Sequence, residues 1–162
     1  VTAIQGLTVV TVEGRGMIGR PGIAARTFSA VASQGASVLM IVQASSEQSI
    51  CLIIPTDTVS GVVNAIEQEL ALELARRDVD RVWAQDGIVI VSAVGWGIRG
   101  TPGVAARVFG ALCQAQAGAD GAINVIAIAQ GSSECSISLA VDGNDAVAAV
   151  QQIHIEVVIN GK

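Results

Sequence analysis

Gly14-Arg15-Gly16-Met17-Ile18-Gly19-Arg20-Pro21-Gly22-Ile23-Ala24-Ala25-Arg26-Thr27-Phe28 returns 81 residues later as Gly95-Trp96-Gly97-Ile98-Arg99-Gly100-Thr101-Pro102-Gly103-Val104-Ala105-Ala106-Arg107-Val108-Phe109. Downstream, Gln43-Ala44-Ser45-Ser46-Glu47-Gln48-Ser49-Ile50 returns as Gln130-Gly131-Ser132-Ser133-Glu134-Cys135-Ser136-Ile137, now 87 residues apart. The second copy therefore carries six extra residues (87 − 81) within 116–123, where Ala117-Gly118-Ala119-Asp120-Gly121 reads as a loop. A period above 80 residues exceeds the roughly 20–50 of solenoid repeats. The chain reads as two copies of one small domain.

Each copy has the order β-α-β-β-α. Residues 7–12 and 88–94 are β-branched runs of strand length. Each run leads into the glycine cluster, and Pro21 and Pro102 are expected at first helical positions, where a missing N–H is harmless. Ala24, Phe28 and Val31 then share a helical face, as do Ala105, Val108, Phe109 and Leu112. Strands are expected at 38–42, 49–54, 123–129 and 135–141, with Ser-Ser-Glu turns before the second of each pair. Asp57 or Thr58, and Asn144, are candidate caps of the closing helices. Residues 78–85 offer a fourth strand to the first copy. The second has little after its helix, so residues 1–5, otherwise unassigned, are expected to complete its sheet. The domains are then 6–86, and 87–162 completed by 1–5.

Gly14-Arg15-Gly16-Met17-Ile18-Gly19 and Gly95-Trp96-Gly97-Ile98-Arg99-Gly100 both satisfy G-x-G-x-x-G between a strand and a helix. A dinucleotide site also needs an acid about 20 residues on for the ribose. The first copy has no Asp or Glu between Glu13 and Glu47, the second only Asp120 in its extra loop. That argues against NAD. Two readings of the loops stay open: a plain tight turn that needs glycine, or a carboxylate seat made by free N–H groups at a helix start. Gln43 and Gln130 recur at equivalent strand ends, where a carboxamide can read an ammonium or hydroxyl or simply cap a turn. Ser46-Glu47 and Ser133-Glu134 read as turn formers.

Composition narrows the classes. The 162 residues are 51% hydrophobic, 14% charged and 2% aromatic, with net charge −5 and mean hydropathy +0.60. A disordered chain would be poorer in Val and Ile and richer in charge. An acidic chain with one lysine, Lys162, and so few rings lacks what nucleic acid requires. No apolar run nears the ~20 residues of a membrane span, and no secretory leader is visible. The missing initial Met suggests a piece of something longer. Cys51, Cys113 and Cys135 are odd in number and far apart, so reduced thiols and no metal site are expected. The lone His154, at the end of a helical pattern, reads as structural, and no cofactor is expected.

The doubled pattern Gly-x-Gly-Met/Ile-x-Gly-x-Pro-Gly-Ile/Val-Ala-Ala-Arg-x-Phe, followed by Gln-x-Ser-Ser-Glu-x-Ser-Ile, resembles the paired ACT domains of aspartate kinases. Ile123-Asn124-Val125-Ile126-Ala127-Ile128-Ala129-Gln130 is especially similar to the regulatory region of bifunctional aspartate kinase–homoserine dehydrogenases. The resemblance implies an α+β fold, two ferredoxin-like βαββαβ domains with antiparallel sheets packed side by side, and homodimerisation through them. It implies threonine or lysine as effector at the domain interface, a kinase catalytic domain as partner, and a cytoplasmic setting without nucleic acid or membrane. One effector pocket would use Met17, Ile18, Gly19, Pro21, Gly22, Ile23, Val38 and Gln43. Its counterpart would use Ile98, Gly100, Pro102, Gly103, Asn124, Val125 and Gln130. Gly19 and Gly100 occupy or adjoin the place where some family members put an aspartate. The family's Lys-Phe-Gly-Gly phosphate motif does not occur here, so the chain alone is not expected to be an enzyme. A dimerisation module with empty pockets is the alternative.

Overall fold

The 7–12 run folds as part of a longer strand, β1 (Thr2–Glu13), in the computed structural model, which describes residues 1–98, 100–115, 121–131 and 135–160. After β1 come α1 (Ile23–Ser33), β2 (Met40–Gln43), β3 (Ser49–Pro55), α2 (Val59–Glu69), α3 (Ala71–Arg76), β4 (Arg81–Val94), α4 (Val104–Gln114), β5 (Ala127–Ala129), β6 (Ser136–Asp142) and α5 (Ala146–His154). The chain divides into two units, Gly6–Asp86, and Val1–Gln5 together with Gly87–Lys162.

In the first unit the strands lie in the order β2-β3-β1-β4. β3 runs antiparallel to both β1, with Thr11 opposite Cys51, and β2, with Gln43 opposite Ile50. β4 is tied in where Glu13 O accepts the Asp80 N–H at 2.8 Å. Alternation sends Val10, Val12, Ile50, Leu52 and Ile54 to one face, where they bury against Ile23 and Val31 of α1 and Val62 and Ile66 of α2. Ile23 and Val31 are eight residues apart and Val62 and Ile66 four, spacings that put each pair on one helical stripe.

The second unit repeats the plan in the order β1-β4-β6-β5. β4 and β6 are antiparallel, with Ser92 opposite Ser138. Val91, Ala93, Ile137 and Leu139 pack under Val104, Val108 and Leu112 of α4 and Ala149 and Ile153 of α5. The first unit is thus βαββαβ, and the second has the same arrangement with its remaining strand supplied by residues 1–5; both have antiparallel sheets and helices on one face, an α+β fold.

Four local expectations shift. Residues 81–85 of the first expected run and 88–94 belong to one strand, β4, with 78–80 outside it, as 2–5 and 7–12 belong to β1. Each strand passes from one unit to the other beside a left-handed glycine, Gly6 at φ +71° and Gly87 at φ +73°, so residues that usually end strands sit inside them. Pro21 and Pro102 lie in turns before the helices, whose N-caps are left-handed Gly22 (φ +96°) and Gly103 (φ +86°). Thr58 takes the N-cap position of α2 but its hydroxyl donates to Pro55 O and not to a helical N–H, and Asn144 donates to Asp142 Oδ1 while Asp145 takes the cap position. β5 is shorter than the 123–129 run, because only Ala127–Ala129 pairs with β6. The extra loop at 116–120, the turn at 132–134, Arg99 and residues 161–162 lie outside the described residues.

Candidate functional site: two loop–helix corners

The first corner begins where β1 stops at Glu13. Gly14 N–H donates to Gln48 O at 2.9 Å, and a tight 3-10 turn, Arg15–Met17, reverses the chain before α1. Gly14 and Gly16 are fixed by packing: a Cβ on Gly14 would lie 2.4 Å from Asp78 O, and one on Gly16 2.5 Å from Asp78 Cα. Both contacts are with backbone that cannot swing aside. The first two glycines therefore serve the fold.

The remainder of the corner opens into a cleft of about 380 Å³. Met17, Gly19, Pro21, Gly22, Ile23 and Gln43 line it together, joined by Arg20, Ala24, Glu47 and Ile50. Two expected members lie elsewhere. Ile18 is 54% exposed, and Val38 packs against the hydrophobic core of the unit.

Glu47, expected only to form a turn, does so and more. Its N–H donates to Ala44 O, and it adopts an uncommon left-handed φ of +54°. Its Oε2 accepts the Gly19 N–H at 2.7 Å. A side-chain carboxylate thus already uses one of the corner's free donors, a charge-assisted bond of the kind an incoming carboxylate would make. The recurrence of Ser-Ser-Glu in both copies was the available signal, but a turn explained it adequately.

Around this cleft, α1 is pinned to α2 and α3. Arg26 Nε donates to Glu69 Oε1 at 2.9 Å, and a second guanidinium nitrogen donates to Glu73 Oε1. The Arg26 hydrogen bond is the main cause holding the Glu73 carboxyl below the usual glutamate range. Trp83 Nε1–H, then Arg81, lowers Glu13 in the same way where β1 meets β4. Arg20 reaches Asp78 at 2.6 Å.

The second corner keeps the path and changes the surroundings. Gly95 N–H donates to Cys135 O at 2.8 Å and Ile98 N–H to Gly95 O at 3.1 Å. Among the described residues the nearest atoms to a Cβ on Gly95 or Gly97 are side-chain atoms at 3.9 and 3.7 Å, so neither glycine is pressed by them. Trp96 is 95% exposed. A cleft of about 360 Å³ is lined by Val94, Gly95, Gly97, Ile98, Thr101, Val104, Arg107, Val157 and Val158. Of the expected second set only Ile98 is among these. Val125 packs on the core; Gly100, Pro102 and Gly103 lie at the turn into α4, and Asn124 and Gln130 are exposed on either side of β5.

Cys51 and Cys135 are half-buried and Cys113 exposed, all as free thiols. Among the described residues no group of three or more His, Cys, Asp or Glu is placed to hold a metal. No described helix is long and apolar enough to cross a membrane.

The ACT domain family profile matches residues 10–70 and 91–157. The bifunctional aspartokinase/homoserine dehydrogenase of Haemophilus influenzae is 40% identical over 154 residues, 95% of this chain and 18% of that protein. The chain therefore spans less than a fifth of that relative's length. Among solved structures, the regulatory subunit of aspartate kinase from Thermus flavus superposes with a TM-score of 0.76 at 27% identity, covering 94% of each chain. Aspartokinase III of E. coli, solved in complex with lysine and aspartate, gives 0.66 at 26% identity over 94% of this chain and 31% of that one.

Proposed function

That this chain belongs to the ACT-domain family is the premise from which we propose its function: the allosteric regulatory region of an aspartate kinase, whose first corner binds a free amino acid, threonine or lysine, as feedback inhibitor. The phosphoryl-transfer chemistry belongs to a kinase catalytic domain that reads the bound state. A coupling of about 1–3 kcal/mol between effector and substrate is enough for such control. A homodimer formed through these domains, in the cytoplasm, is part of the same proposal.

The observation that carries this reading is the first cleft, where a glycine corner at a helix start converges with Gln43 and Glu47. A free amino acid carries a carboxylate for backbone N–H groups and an ammonium for Gln43 Oε1 or Glu47. Threonine is separated from valine by its hydroxyl, since an isostere that leaves a polar group unpaired loses more than one that misfits by a methyl. The lysine bound to E. coli aspartokinase III belongs to that protein; here it supports the choice of ligand class.

The hydrogen bond from Gly19 N–H to the Glu47 carboxylate favours a second reading, a dimerisation module whose corner is satisfied internally. Calorimetric titration with threonine, lysine and valine separates the two. Saturable heat from threonine or lysine, lost in Gln43→Ala, is expected. No heat from any of the three, in both the parent chain and Glu47→Gln, overturns the effector reading and leaves the module.

A further inference from the structure

We propose that the second unit carries a separate pocket, centred on Arg107, for a small carboxylate with an aliphatic chain and no ammonium group. Arg107 holds the place that Arg26 holds in the first copy. Arg26 is saturated by Glu69 and Glu73. At the same 87-residue offset these two positions become Glu156 and Asn160. Glu156 accepts from Asn160 Nδ2 at 3.3 Å, and among the described residues no carboxylate pairs with Arg107. One counter-charge is bonded to its neighbour on the same turn and the other has become neutral.

The half-buried guanidinium lines the 360 Å³ cleft with the Thr101 side chain and the apolar walls Ile98, Val104, Val157 and Val158. A cation at the edge of an apolar hollow favours an anion with a hydrocarbon body: the guanidinium takes the carboxylate in its donor fork and the valines take the chain. Among the described residues the lining contains no acidic side chain. An ammonium group meets no partner of opposite charge among them, so simple carboxylates are preferred over amino acids. This separates the pocket from the first corner, which has Glu47 and Gln43, and the proposal does not rest on that corner binding anything.

The test titrates the 162-residue chain with 3-methylbutanoate, valine, acetate and 3-methylbutanol, following heat and the NMR signal of the Trp96 indole beside the pocket. The expected result is saturable 3-methylbutanoate binding at least ten-fold tighter than valine or acetate, no binding of the alcohol, and at least ten-fold loss in Arg107→Gln. Val158→Glu, at a position already 45% exposed, is expected to abolish binding by supplying an internal carboxylate while the fold is kept. Absence of saturation, equal affinity for valine, or 3-methylbutanoate binding unchanged in a folded Arg107→Gln or Val158→Glu chain overturns the proposal. Gln43→Ala, which tests the first corner, is expected to leave 3-methylbutanoate binding intact.

Discussion

The two corners share a fifteen-residue pattern but are held by different forces. In the first, α3 and a left-handed Arg77 at φ +59° lead into Asp78, whose backbone presses on Gly14 and Gly16. Arg26 is clamped by two glutamates, and Glu47 reaches back to Gly19. In the second, α5 runs into a π-helical turn at Ile155–Ile159. Neither Gly95 nor Gly97 meets a pressing backbone, and Arg107 keeps no carboxylate partner among the described residues. A duplicated motif thus preserves a path of the chain while its side chains are released for other work.

The largest test of that contrast uses the glycines. Gly14→Ala and Gly16→Ala force backbone apart and are expected to cost about 3 kcal/mol or more, at the upper end of overpacking effects. Gly97→Ala is expected to cost less than about 1 kcal/mol. Urea unfolding of the three variants measures the difference, and equal losses would show that the two turns are equally tight.

Acid separates the arginines. Glu73 and Glu13 titrate below their ordinary value near 4.5, so their ion pairs add stability that is full above that pH. It is lost as pH falls through the lowered folded values. The urea midpoint is expected to drop between pH 5 and about 3, and the part of the drop owed to Glu73 should vanish in Arg26→Gln. Arg107→Gln is expected to leave the slope alone; an identical effect from both variants would erase the distinction.

The smallest effect concerns a buried hydroxyl. Thr27 is fully buried in α1 and its Oγ1 has no hydrogen-bond partner among the described residues, whereas its counterpart in α4 is Val108. Replacing an unsatisfied hydroxyl by a methyl removes a desolvation cost. Thr27→Val is therefore expected to stabilise by roughly 1 kcal/mol in thermal or urea unfolding, and Val108→Thr to destabilise by about as much. A loss of stability in Thr27→Val would mean that the hydroxyl finds a partner in solution.

Much of this architecture is legible without coordinates, because local chemistry dictates it. β-Branched runs such as 7–12, the helical stripe through Ala24, Phe28 and Val31, and the repeat itself are short-range signals. Gly6 and Gly87 mislead for the same reason: a glycine reads as a break, while here it is a left-handed step inside a strand. The Pro-Gly pairs point to a helix start but not to glycine as its cap. What the sequence hides lies at long range. Asp78 meets Gly14 and Gly16 across more than sixty residues, Glu47 reaches Gly19 across a strand, and Val157 and Val158 close a pocket begun at Val94. Gln43 lines its cleft, whereas its twin Gln130 does not line the second, a divergence that no comparison of the two copies could reveal.

Because Val1–Gln5 belongs with Gly87 onward, a proteolytic nick beside Gly6 injures a fold assembled far downstream. Losing those few residues would uncover the flank of β4, and bare strand backbone invites other chains to pair with it. Clumping after such a nick would start in the unit whose other residues begin some eighty positions beyond the cut.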